Sequence, residues 1–314
     1  MADGAGLNGV APRRAVATWR GGVSSWTDRY FGVLLVLPAV LLILALSIYP
    51  LVYSLWVSFV NYDFQIPGHA FVGWLNFQEV VADPVARASL ANMAILSAAV
   101  VVLELALGLP LAMAMLKPFR GRGMIMPILL MPLFMSPVIV GQFWSLLLQR
   151  PFGPTDYLLG RLVGHPVTIS WLTETPWKFV SIILADVWQW TPFMFVILLA
   201  GLTAISHELY EAADLDGVTP MQSLYHMTLP LLAPIILLAV TFRLLDAVKL
   251  FDVIYVMTGG GPGTSTYTAS FYLYQTGFQE FHLSQATAGS WIFLALITLV
   301  IMALVRRLLR PEAA

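Results

Sequence analysis

Residues 211–230 read EAADLDGVTPMQSLYHMTLP, a polar segment between two hydrophobic stretches of a 314-residue chain. The segment predicts two short helices joined by a glycine elbow. Ser206 is placed to cap the first helix, whose opening turns carry Glu208 and Glu211 where the helix dipole favours negative charge. Gly217 supplies the backbone freedom to end that helix. Thr219, Pro220 and Gln222 then restart the chain with an N-cap, a proline at the first helical position and the glutamine of a capping box. Ala212 and Ala213 leave a small surface for close packing by another protein. The segment reads as a contact device, and nothing in it suggests catalysis.

The surrounding chain is 59% hydrophobic and 11% charged, which excludes an ordinary soluble domain. A bilayer crossing needs about 20 apolar residues, and such stretches fall at 31–57, 89–115, 125–148, 179–202, 230–256 and 286–305. The expected fold is therefore all-α and membrane-integral, with a tail at 1–30 and a transmembrane domain at 31–314 carrying a loop at 206–230. The first stretch is too long for a cleaved signal and follows a basic tail, so it is expected to be retained. The absence of cysteine excludes disulfides and thiolate metal sites.

Basic residues set the orientation. Arg13, Arg14, Arg20 and Arg29 precede the first span, Lys117, Arg120 and Arg122 lie between the second and third, and Arg306, Arg307 and Arg310 follow the sixth. Arg87, Arg150, Arg161 and Lys178 fall on the other side. Both termini and residues 206–230 are then expected to be cytoplasmic. On the outer side, 61–87 is long enough to fold over the first helix, and 150–178 reads as a short re-entrant or interfacial excursion. Gly259–Gly263 is expected to form a flexible outer loop; it follows no strand and opens no helix, so it does not read as a phosphate cradle.

The spacing EAAxxDG followed by TLP resembles the EAA loop of permease subunits of bacterial ATP-binding-cassette importers. The match runs through Glu211, Ala212, Ala213, Asp216, Gly217, Gln222, Thr228, Leu229 and Pro230; Val218, Met221, Leu224 and Met227 depart from the usual residues. PLVYSLWVSFVNYDF, FVGWLNFQEVVADP, SPVIVGQFW and KLFDVIYVMTGGGP extend the resemblance over most of the chain. It is nearest to the maltose and glycerol-phosphate branch. That likeness implies a type I importer fold, with six transmembrane helices and a cytoplasmic coupling helix. It also implies a second, homologous permease subunit, two cytoplasmic ATP-binding subunits that use ATP and magnesium, and an extracellular or periplasmic solute-binding protein. The implied place is the bacterial cytoplasmic membrane. Glu211, Ala212, Ala213, Asp216 and Gly217 would contact the ATPase. Substrate contacts in such relatives come from the helices flanking the EAA loop, which here implicates Asp186, Gln189, Trp190, Phe193, Arg243, Asp246 and Ala247.

The residues themselves bear on function independently. Lys117, Lys178 and Lys249 all lack a preceding glycine, so there is no Walker A loop and no ATPase site of the chain's own. No cofactor is expected on it, nor any nucleic-acid partner. Charges inside spans cost several kcal/mol and so tend to face a cavity or a partner; Glu104, Asp186, Arg243, Asp246, Lys249 and Asp252 qualify. The last four recur at spacing three and predict a mutually neutralising ladder on one helix face, either a sealed seam or a lining of the solute path. Asp186, Trp188, Gln189 and Trp190 combine hydrogen-bonding groups with aromatic faces, the chemistry that suits sugars. His207 and Glu208 begin a zinc-protease-like pattern, but Glu211 stands where the second histidine is required. Asn92 and Gln142 suit helix-to-helix hydrogen bonding. A proton-coupled carrier or polytopic enzyme titrating Glu104 and Asp186 is the alternative.

Overall fold

The computed structural model describes residues 25–62, 68–151 and 153–308. Arg13, Arg14, Arg20 and Arg310, which contribute to the expected orientation, lie outside the described residues, as does most of the expected 1–30 tail. The chain divides into two compact units, Met1–Tyr53 and Ser54–Ala314. In the first, α1 (Ser25–Ile43) passes through a π-helical turn at Leu44–Ile48 into α2 (Tyr49–Ser58), which crosses the unit boundary. The described side chains from Tyr30 to Tyr53 are exposed and largely apolar, the surface expected of a helix solvated by lipid.

The second unit is built from short and long helices: α3 (Leu75–Ala82), α4 (Pro84–Leu116), α5 (Arg122–Leu130), α6 (Pro137–Leu148), α7 (Pro154–Val163) and α8 (Trp177–Ala204). It continues through α9 (His207–Leu215), α10 (Pro220–Ser223), α11 (Leu229–Ala247), α12 (Asp252–Met257), α13 (Ala269–Tyr274) and α14 (Leu283–Leu308). Asp83 caps α4, its carboxylate accepting from Val85 N at 2.8 Å ahead of Pro84 at the first helical position.

The helices α4 and α8 form the central pair. Gly108 of α4 allows this, because a Cβ there would lie 3.1 Å from the backbone nitrogen of Phe195. Gly201 of α8 admits α11 in the same way, its virtual Cβ falling 2.7 Å from Leu232 and 2.8 Å from Ile235. Small residues at such crossings let helices pack closely where lipid supplies no hydrophobic drive. Val100, Phe195, Leu198 and Leu232 fill one core region between these helices, and Leu96, Val140, Ile182 and Ile254 fill a second that adds α6 and α12.

Among the described residues, five helical runs are long and apolar enough to span a membrane: Tyr30–Ser58, Pro84–Leu116, Trp177–Ala204, Pro220–Ala247 and Leu283–Arg306. The expected third span is not continuous. Arg122–Phe134 and Pro137–Leu148 meet at 99°, because Pro137 lacks a donor and forces Ser136 into an extended conformation (ψ 137°). The carbonyl of Met135, freed at the break, is satisfied from another helix, accepting from Gln189 Nε2 at 2.8 Å. The fifth span is displaced towards the N-terminus, running over Pro220–Ala247. It stops at Ala247 rather than running to 256, and the Leu250 carbonyl in the break accepts from Thr268 Oγ1 at 2.8 Å.

The loops carry structure of their own. The segment after α2 packs helix α3 against α14, tied by Gln285 Nε2 donating to Glu79 at 2.7 Å and Asn76 donating to Ser58 O and Val60 O. Segment 150–178 carries α7, pinned where Asp156 accepts from Trp171 Nε1 at 2.7 Å and Ile169 N at 3.1 Å. The glycine run, expected to be flexible, is packed and internally bonded. Thr266 N donates to Gly260 O at 3.0 Å, the Thr258 and Thr266 hydroxyls lie 2.9 Å apart, and Asn92 Nδ2 donates to Ser265 O and Tyr267 O. Asn92 therefore joins a helix to a loop, not a helix to a helix.

Candidate functional site

Arg243, on α11, organises the polar centre of the bundle. Its Nε donates to Glu104 Oε2 at 2.7 Å, its Nη1 to Asp246 Oδ2 at 3.0 Å and its Nη2 to Asp186 Oδ2. Arg243, Asp186 and Glu104 are 1%, 2% and 0% exposed, whereas Asp246 is half-exposed. The guanidinium carbon also stands 5.0 Å from the centroid of the Trp190 ring, a cation–π contact. Three helices are thus tied through one guanidinium, whose fork suits several carboxylates at once.

The expected ladder is therefore broken. Arg243 and Asp246 share α11, but Lys249 lies in the turn after it and Asp252 opens α12. Arg243 takes its buried partners from α4 and α8, because the packing of α11 against both helices brings Glu104 and Asp186 within hydrogen-bond reach. Sequence reading missed Glu104 as a partner of Arg243. The signal was available in part: a carboxylate in mid-span requires a cation, and Arg243 and Lys249 are the cations within the expected spans.

A cavity of about 160 Å³ opens beside this cluster. Asp186, Trp190, Arg243, Asp246 and Ala247 of the expected substrate set line it, together with Lys249, Phe251, Asp252 and Pro137. Gln189 and Phe193 do not. Gln189 is occupied at the broken third span, and Phe193 packs edge-on against Trp190 at 6.3 Å. Trp188 is turned the other way, against Phe143 and Trp144. A larger groove of about 670 Å³ lies along Met126, Pro127, Leu130, Met131 and Phe134. Its lining is almost wholly apolar, so it has little with which to orient a polar solute.

At the other end of α8 and α11 lies the EAA segment. Helix α9 ends in a Schellman motif, with Val218 N donating to Ala213 O at 3.0 Å and Gly217 N to Asp214 O at 3.1 Å while Gly217 adopts φ +72°. The capping box at Thr219 and Gln222 is complete. Ser206 occupies the N-cap position of α9, but its side chain makes no capping bond, contrary to expectation. Nor is the second helix separate: α10 runs through a π turn at Leu224–Thr228 straight into α11. Tyr210 ties α9 to that turn through Thr228, hydroxyl to hydroxyl at 3.2 Å. Glu211, Ala212, Asp216 and Gly217 are exposed, Ala213 is half-buried, and Leu215 is 90% exposed.

Residues 105–310 match the family described as binding-protein-dependent transport system inner membrane component. The chain belongs to this family. A probable ABC transporter permease protein of Sinorhizobium fredii is 37% identical over 276 residues, covering 87% of this chain and 88% of the relative. The trehalose/maltose transport system permease protein MalF of Thermococcus litoralis is 35% identical over 276 residues, covering 88% and 92%. A bacterial alginate ABC transporter, solved with an alginate-bound periplasmic protein, superposes with a TM-score of 0.77 over 90% of this chain and 96% of its own, at 21% identity. That likeness shows the type I importer permease fold. The chain is accordingly a multi-pass permease subunit of a binding-protein-dependent ABC importer and not an enzyme, with ATP hydrolysis belonging to separate subunits. The carrier and membrane-enzyme readings are not favoured.

Proposed function

We propose that this permease imports a carbohydrate or carbohydrate derivative across the bacterial cytoplasmic membrane by alternating access. The cavity beside Trp190 and Arg243 would form part of the solute path. The observation that carries this is the meeting of an aromatic face, Trp190, with the half-exposed carboxylate of Asp246 and the Lys249 ammonium around one opening. A ring face suits sugar C–H groups and the polar rim suits hydroxyls. At about 160 Å³ the cavity is well below the roughly 300 Å³ at which small-molecule sites begin, so a second, homologous permease would complete it. The named cargo of the Thermococcus relative, trehalose or maltose, supports the carbohydrate assignment.

Two ATP-binding subunits using ATP and magnesium would dock on the cytoplasmic side at Glu211, Ala212, Ala213, Asp216 and Gly217, and a solute-binding protein would deliver cargo from outside. The exposed α9 and its link to α11 through Tyr210 and Thr228 support a lever that carries ATPase closure into a span. Both termini would be cytoplasmic. In proteoliposomes holding the whole importer, Trp190→Ala is expected to lower transport roughly two- to tenfold through loss of a stacking face, with assembly and basal ATPase retained. Unchanged transport would remove the cavity from the path.

A further inference from the structure

We infer that the solute passing this cavity carries no net negative charge, so that the cargo is a neutral carbohydrate or one bearing a cationic group. The inference rests on the cavity being part of the solute path, and it narrows the cargo from carbohydrates in general to one charge class.

Recognition of a phosphate, sulfonate or uronate group relies on a guanidinium fork or a cluster of ammonium groups left free to receive it. Arg243 is not free. Each of its three nitrogens donates to a different carboxylate, those of Glu104, Asp246 and Asp186, and its face is covered by Trp190. The remaining cation at the cavity is Lys249, exposed on the turn after α11. Asp246, three positions before it, and Asp252, three after, line the same opening, so a lone ammonium stands among carboxylates and not in a cluster of its own sign. Asp186, Asp246, Asp252 and Glu104 thus stand against Arg243 and Lys249. On this chain's wall of the cavity negative charge is in excess, and it stays in excess if any one carboxyl holds a proton. An anionic solute would enter a region of its own sign, with low-dielectric walls to strengthen the repulsion. A neutral sugar meets no such opposition. Its hydroxyls donate to Asp246 and Asp252 and accept from Lys249, and its ring lies on Trp190.

The chain contains no cysteine, which allows the potential to be read directly. Cysteine is introduced at Phe251 or Ala247, both on the cavity wall, in the whole importer, with the other subunits' cysteines replaced by serine. Rates of modification by a trimethylammonium-bearing and a sulfonate-bearing ethyl methanethiosulfonate are each divided by the rate with free 2-mercaptoethanol. The corrected cation-to-anion ratio is expected to exceed about fivefold and to fall towards one when Asp252→Asn is added. A ratio at or below one would overturn the inference. If methyl methanethiosulfonate, small and neutral, also fails to react at both positions, the cavity is not in the solute path and the carbohydrate-site reading falls with the charge assignment. The cargo itself supplies the second arm. Mass spectrometry of the ligand released from the cognate solute-binding protein is expected to identify a molecule without phosphate, sulfonate or carboxylate; one that carries such a group overturns the inference while leaving the carbohydrate reading in place.

Discussion

Glu104 of α4 and Arg243 of α11 are 139 positions apart in sequence, yet Glu104 Oε2 accepts a hydrogen bond from Arg243 Nε at 2.7 Å. Neither charge would be held in the interior of a bundle alone, because desolvation costs each ion several kcal/mol. With Asp186 of α8 completing the cluster, the pair fixes how three spans meet.

Removing the cation alone should be severe. Arg243→Gln leaves Glu104 and Asp186 buried without a counter-charge, a penalty of about 3 to 5 kcal/mol. Assembly yield and thermal unfolding in nanodiscs are expected to fall sharply. The triple variant Glu104→Gln, Asp186→Asn, Arg243→Gln keeps hydrogen-bonding groups and deletes every buried charge of the cluster, and it should recover much of the loss. Wild-type stability in Arg243→Gln would mean that the cluster does not tie the helices together.

Gly217 closes α9 at φ +72°, where a side chain costs about 1 to 2 kcal/mol. Gly217→Val is expected to insert normally yet lose solute-stimulated ATPase, and Gly217→Asn, which tolerates this conformation better, should lose less. Equal coupling in both variants and wild type would take the elbow out of the mechanism.

Two glycines of the packed glycine-rich loop separate conformation from crowding. Gly259 and Gly260 both have positive φ, but a Cβ on Gly259 meets nothing within 4 Å, whereas one on Gly260 falls 2.3 Å from the Tyr267 ring. Gly260→Ala should therefore lower the unfolding temperature clearly more than Gly259→Ala. Similar shifts would show that the ring moves away freely.

Topology is checked by single cysteines at Thr264 and Asp214, both exposed and beyond opposite ends of α11. An impermeant thiol reagent should reach Thr264→Cys from outside in intact cells and Asp214→Cys only after permeabilisation. Labelling of both from one face would reverse the reading of the span between them.

Locally encoded features were legible from the residues. The capping box at Thr219 and Gln222 and the glycine-ended helix before it depend on groups within a few positions of one another, and both stand as expected apart from the Ser206 cap. The third span shows the limit. Met-Pro and Ser-Pro pairs at 131–132 and 136–137 announced a break, but a hydropathy window averages across it. The four-residue charge pattern from Arg243 misled for a related reason: its spacing means one face only while the helix continues, and α11 stops at Ala247, where Thr268 from beyond the glycine loop takes up a freed carbonyl.

The sequence alone determined that this chain is a bundle of membrane helices with a capped polar elbow, because hydrophobic length, capping and glycine conformation are properties of neighbouring residues. Only the tertiary structure decided that Glu104 answers Arg243, that Gln189 satisfies the broken third span, and that Trp190, Asp246 and Lys249 share one cavity. Those choices are made between groups far apart in the chain, and a buried charge or freed carbonyl is satisfied by whichever partner the packing of the helices brings within reach.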